Sequence, residues 1–417
     1  MVMNAGSIGF ILISAAFVFL MTPALAFFYG GLARRKNVLN TMMACMFICG
    51  VAIVMWILFG FSLSFGTDHG SVIGGLEFLG FNNVSMTEST RGLSIPDACF
   101  AVFQMMFAII TPALFTGSVV GRMKFKSLLI FTALWSLVVY YPLAHMVWGG
   151  GFLAQIGSVD FAGGNVVHIS SGVTGLTLAL LLKNRREYHR ASYAPHNVPF
   201  VVLGAALLWF GWFGFNAGSS LAADGLAVHA FTTTAVSSAS ALISWMIIDT
   251  IMTGKPTIVG SCTGLVVGLV AITPGAGFVP VWASVIIGLL VSPICYFSVI
   301  LLKKKLKIDD ALDAFGCHGI GGIWGGIATG LFAMKELPGG VTSTAQWDGL
   351  FFGDYHLFVA QVESIIITIA IAVVGTLICY GITRLFGKLR VSEQDEKIGL
   401  DISQHGENAY PTFNGMD

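Results

Sequence analysis

Charged side chains are scarce in this chain: they make up 10% of the 417 residues, and no basic residue precedes Arg34. An ordinary soluble domain carries roughly 25%, so a water-soluble globular protein is excluded. The 21 basic and 21 acidic residues cancel, which removes any argument for nucleic acid or for a generally acidic partner. Metal-ligand spacing is also missing. The seven cysteines lie almost wholly inside apolar runs and read as small core residues, neither disulfide-bonded nor metal-binding, and no cofactor is expected. The polar segment after the last apolar run is too short for a kinase or cyclase output module.

Apolar length fills the space left by charge, with 56% hydrophobic residues. A helix crossing a hydrocarbon core roughly 30 Å thick needs about 20 apolar residues. Eleven such spans are expected, near 6–31, 38–65, 97–121, 126–147, 161–182, 198–219, 226–252, 256–273, 279–302, 311–334 and 357–385. The fold class is therefore an all-α polytopic membrane protein, residues 1–390, with a polar tail at 391–417. All the basic residues except Arg91 and Lys335 fall in alternate connections or in the tail. That asymmetry places the N-terminus outside and the tail in the cytoplasm. The first segment continues past signal-peptide length and reads as a retained helix.

Five helices are an odd number, so a second set of five enters the bilayer upside down, and helices 1–5 and 6–10 are expected to form inverted repeats with helix 11 peripheral. FFYGGLA at the end of helix 1 echoes WFGFNAG at the end of helix 6. Helices 5 and 10 each contain an intramembrane histidine, His168 and His318, behind an aspartate that opens the stretch, Asp160 and Asp313. An ionisable group at that depth is expensive, and function is the default explanation. Each histidine lies seven residues into its helix, about 11 Å at 1.5 Å per residue, so from opposite faces the two arrive near the midplane together. Unrelated core histidines are the plainer alternative; matched positions in repeat-related helices favour a pore pair. Glycine-rich runs such as GCHGIGGIWGGIATG allow the close helix packing that such a pair needs.

At the outer end, this topology collects Phe103 and Phe107 on helix 3, Trp148 at the end of helix 4, and Trp212, Phe215 and Ser219 on helix 6. Aromatic faces attract a cation by about 0.5–2 kcal/mol and a serine hydroxyl accepts a hydrogen bond. The group suits a small cation that donates hydrogen bonds, although any one of these residues also fits an interfacial aromatic belt. Asp160 reads either as the cap of helix 5 or as direct electrostatic help to that cation.

The stretches HMVWGGG (145–151), DFAGGNVVHISSG (160–172), GWFGFNAGS (211–219), DDALDAFGCHGIGG (309–322) and GLDISQHGENAY (399–410) closely resemble the Amt/Mep/Rh ammonium transporter family, and specifically its bacterial Amt branch. The resemblance covers nearly the whole chain in order. It implies transport of ammonium or ammonia, with methylammonium as analogue, and a multi-pass protein of the cytoplasmic membrane. It implies an outer ammonium site at Trp148, Phe107 and Ser219 shaped by Asp160, and a phenylalanine gate of Phe107 over Phe215. It further implies His168 and His318 as the pore pair, a homotrimer in membrane lipid, and a tail that meets a cytoplasmic PII signalling protein through Gly399, Leu400, Asp401, His405, Gly406 and Glu407. Where the family commonly has an acidic residue before the arginine ending helix 3, this chain has Gly121 before Arg122, so no carboxylate is available there. Two other classes are an ammonium sensor signalling through its tail and an intramembrane hydrolase using Asp and His. Placement of the histidines in separate, repeat-related helices favours a pore over a single catalytic centre.

Overall fold

The structure, a computed structural model, describes residues 2–188 and 193–410. Arg190 of the basic connections and residues 411–417 of the tail lie outside the described residues.

Helices dominate because most stretches between turn signals are too long and too apolar for anything else to satisfy their backbone in lipid. Among the described residues nine helices are long and apolar enough to cross a bilayer. In chain order they are α1 (Ala5–Leu32), α2 (Arg35–Phe65), α3 (Asp97–Val119), α4 (Phe125–Gln155), α5 (Gly164–Leu182), α6 (Val198–Ser220), α7 (Gly225–Thr253), α9 (Val281–Lys305) and α11 (His356–Leu385). The shorter α8 (Ile258–Ile272) and α10, a helical run over 315–332, stand where the sequence places the other two spans. The only strands among the described residues form two-residue hairpins, β1 (Asp68–His69) with β2 (Ile73–Gly74) and β3 (Glu336–Leu337) with β4 (Val341–Thr342).

Helices α3, α5 and α8 are the most enclosed part of the bundle, whereas α7 and α9 leave large apolar side chains such as Val228, Phe231, Ile251 and Phe297 exposed, as lipid-facing or partner-facing surfaces require. The α5 and α10 backbones touch. A Cβ on Gly172 would lie 2.3 Å from the Gly319 nitrogen and 2.6 Å from its Cα, so only glycine permits this approach.

One end of the bundle is fastened by a buried charge cluster. Arg122 lies 2.8 Å from Asp309, and Arg185 binds the same carboxylate through Nε at 2.8 Å and a terminal nitrogen at 2.6 Å. Burial alone would raise the Asp309 carboxyl, but the Arg185 bonds and the two positive charges hold it below the usual carboxylate range. Burial also pushes Arg122 down to about 10, against the pull of Asp309. Gly121 precedes this cluster with φ +79°, and a Cβ there would meet the Asn37 amide at 2.7 Å. An acidic side chain would be both strained and obstructed at this position; Asp309 supplies the carboxylate that Arg122 faces.

The tail packs over the same end. Val391 donates to the Arg122 carbonyl and Lys124 to that of Leu389. A short helix α12 (Glu393–Ile398), opened by a Ser392–Asp395 capping box, places Glu396 on Arg390 and on the Arg186 amide. Leu400 is fully buried and donates to Asn37, Asp401 accepts from the Asn40 amide at 2.9 Å, and His405 meets the Asn40 side chain at 3.0 Å and the Phe125 ring at 4.8 Å. Gly399 and Gly406 bracket this turn with φ +115° and +71°. Glu407 donates its amide to Asp401 while its side chain is exposed.

By charge alone, the acidic tail would rest on the basic connections Arg122–Lys126, Arg185–Arg190 and Lys303–Lys307. The first two surfaces are used, but the main dock is the start of α2 around Lys36–Asn40. The reason is amide satisfaction: α2 begins there with open N–H groups, and a carboxylate such as Asp401 meets them better than it meets solvated lysines.

Candidate functional site

Both intramembrane histidines sit on widened π-helical turns, Gly164–Ile169 and Phe315–Gly319, a feature frequent at functional sites. Each turn is headed by a carboxylate eight residues before its histidine. Asp160 accepts from the amides of Gly163, Gly164, Asn165 and Val166, the first three at 2.6–2.7 Å. Asp310 accepts from the amides of Ala314, Phe315 and Gly316 and from the Ser118 hydroxyl.

The partner of Asp160 is therefore Asp310, not Asp313. Asp313 has φ +59° and pairs with Lys303. The signal was present in the sequence, since Asp160–His168 and Asp310–His318 share one spacing, but proximity to the apolar run pointed to Asp313. Asp160 acts as a cap: its carboxylate is taken up by backbone donors.

α5 begins beside Trp148, and α10 begins beside Ser118 and Arg122, so the histidines come from opposite ends of the bundle. They meet Nδ1 to Nδ1 at 3.3 Å with rings 15° apart. His168 is 1% and His318 3% exposed. The His168 Nε2 has no hydrogen-bond partner among the described residues, and it borders a cavity lined also by His318 and Trp212 and otherwise by apolar side chains such as Leu114, Val167, Leu208, Val266 and Phe215.

Above His168 the aromatics stack. Phe215 lies 6.2 Å from the His168 ring, Phe107 4.4 Å from Phe215, and Trp148 5.8 Å from Phe107 at 77°. The Trp148 indole N–H donates to the Asp160 carbonyl at 2.8 Å, so the cap of α5 and the orientation of that ring are one piece of structure. Ser219 donates to the Phe215 carbonyl at 2.8 Å and keeps acceptor capacity.

One residue grouped with the outer aromatics stands elsewhere. Trp212 is buried, stacks 5.4 Å from His168 and donates to Thr273, which makes it a wall of the histidine chamber. Phe103 is fully buried against Phe107, 5.0 Å away, and packs close to Gly218 beside Ser219, so it stands with Phe107 and Ser219. Helical periodicity decides which face a residue is on, and Trp212 faces inward one turn deeper than the gate.

Sequence reasoning also passed over His145, one helical turn before Trp148. Its ring is fully buried, with Nε2 2.8 Å from Asp68 and Nδ1 3.1 Å from the Ser64 carbonyl. The contact pins the β1–β2 hairpin to the turn that follows Trp148, where Phe152 donates to the Ser71 carbonyl. The bond from His145 holds the Asp68 carboxyl below its usual range. No sequence spacing marks a pair this far apart.

A family model described as the Ammonium Transporter Family matches residues 9–410. The chain is 47% identical over 408 residues to an ammonium transporter of Bacillus subtilis, covering 98% of this chain and 99% of the relative. It is 44% identical over 410 residues to an ammonium transporter of Aquifex aeolicus, covering 98% and 94%. Its fold is similar to the crystal structure of Saccharomyces cerevisiae Mep2, with a TM-score of 0.89 at 37% identity, covering 99% of this chain and 93% of that one.

Proposed function

This chain belongs to the ammonium transporter family, and on that premise we propose that it moves ammonium and ammonia across the cytoplasmic membrane. The observation that carries the reading is the facing pair His168 and His318 beneath a phenyl stack in an otherwise apolar chamber. Ammonium is recruited at Trp148, Phe107 and Ser219, loses a proton near the Phe107–Phe215 gate, and continues as ammonia past the histidines while the proton is handed along them. Solvation is the reason. Desolvating an intact cation in such a chamber costs several kcal/mol, whereas neutral ammonia needs only hydrogen-bond partners, and neutral imidazoles both donate and accept. A hole of fixed size separates ammonium poorly from potassium; a site that demands donated hydrogen bonds and then proton loss separates them well.

The same reading takes all eleven helices as membrane-spanning, α1–α5 and α6–α10 as inverted repeats with α11 peripheral, the N-terminus outside and the tail inside. The shared Asp-to-His spacing and π-helical turns of α5 and α10 support the repeat. Residues 1–390 form the transport domain and 391–417 a regulatory tail. A homotrimer in membrane lipid and a PII partner at the tail complete the proposal.

Methylammonium uptake into proteoliposomes, with current recorded across a planar membrane, tests transport against pure sensing; a protein that binds the ion but yields neither flux nor current is a sensor. Within that assay Trp148→Leu removes the cation-binding face but keeps an apolar side chain. Apparent affinity is expected to weaken by about 0.5–2 kcal/mol, roughly twofold to thirtyfold, and an unaltered concentration dependence would return Trp148 to the aromatic belt.

Truncation after Arg390 removes the Leu400, Asp401 and His405 contacts with α2 and Phe125. Loss of PII binding with retained flux is the expected result and marks a docking segment. Full flux with full PII binding would show that the tail has neither role.

A further inference from the structure

Asp310 and Asp313 stand three residues apart at the head of α10, and their carboxylates are used differently. Asp310 is consumed by the cap and by Ser118. Asp313 faces the Lys303 ammonium with both oxygens, at 2.6 and 2.7 Å. Its left-handed backbone is a conformation that non-glycine residues adopt at a cost of about 1–2 kcal/mol.

Asp313 and Lys303 line a cavity of about 230 Å³ whose walls also include Tyr29, Thr263, Cys317 and His318. The pair thus shares a chamber with the second pore histidine, at the mouth opposite Trp148. A lysine head group is a primary alkylammonium ion, with three N–H donors on one positive nitrogen, the same chemistry as methylammonium. Asp313 already holds such a cation at charge-assisted hydrogen-bond distance.

We propose that Asp313 is a second ammonium site, at the tail-side mouth, and that Lys303 is its tethered occupant, which a free ammonium ion must displace. This rests on the ammonium reading of the pore. The Lys303 side chain is 35% exposed, so it has solvent to swing into. A tethered competitor acts at millimolar or higher effective concentration, which weakens ammonium binding from the tail side alone. The two mouths therefore differ, and re-entry of released substrate is the disfavoured direction.

The test compares methylammonium flux into right-side-out and inverted vesicles as a function of concentration. In Lys303→Met the competitor is gone, and apparent affinity from the tail side is expected to rise about threefold to tenfold, with the gain confined to that side. In Lys303→Arg the planar fork grips the carboxylate more tightly, and tail-side affinity falls. The double variant Lys303→Met, Asp313→Asn loses the gain. Unchanged tail-side affinity in Lys303→Met, or a gain that survives in the double variant, overturns the proposal. Should Lys303→Met fail to reach the membrane, unchanged affinity in Lys303→Arg overturns it equally. Absence of any flux from the Trp148 side in the unaltered protein would instead reject the transport reading itself.

Discussion

Replacing His168 or His318 by alanine is expected to abolish ammonium-evoked current or to convert it to a leak that no longer rejects potassium. The two rings touch through Nδ1 at 3.3 Å and supply polar atoms at the centre of a chamber with apolar walls. If the pair relays a proton as proposed, removing one ring breaks that relay and opens space for water, which lowers the desolvation barrier for any cation. Because the pair acts as a unit, the double replacement should lose no more than either single one. Current recorded on purified protein, with ammonium and potassium compared, is the measurement. Undiminished current with undiminished selectivity in both single variants would sink the relay and leave the histidines as packing.

Asp160→Ala is expected to lower stability by about 2–4 kcal/mol and methylammonium flux by about tenfold to a hundredfold. Four amides lose their acceptor at a buried helix start. The Asp160 carbonyl that orients the Trp148 indole loses its anchor at the same time. Asp160→Asn sharpens the test: it preserves volume, but its NH₂ group must face amide donors where the carboxylate presented a second acceptor oxygen. Flux should fall in this variant too, with thermal unfolding in detergent reporting the stability loss. If both variants transport and unfold like the parent, the cap does not position the outer site.

Hydropathy determined much from the sequence by itself. A span is a local property, since roughly 20 apolar residues need no distant partner to declare themselves, and the nine long helices appear where the runs predicted them. His168 and His318 were legible for the same reason, as ionisable groups conspicuous against apolar neighbours. The motifs at 145–151, 160–172, 211–219 and 309–322 likewise carried the family.

What only the tertiary structure decided depends on distant partners or on side-chain direction. Asp310 rather than Asp313 caps α10 because capping requires the open amides of the first turn to point at the carboxylate, and the turn at Asp313 aims its side chain towards Lys303 instead. Trp212 belongs to the histidine chamber because its face of α6 turns inward. His145 finds Asp68, Arg122 and Arg185 converge on Asp309, and Asp401 seats on the start of α2, all across separations with no period to read. Local composition announces which segments leave water; which buried polar group satisfies which is settled only when the helices pack.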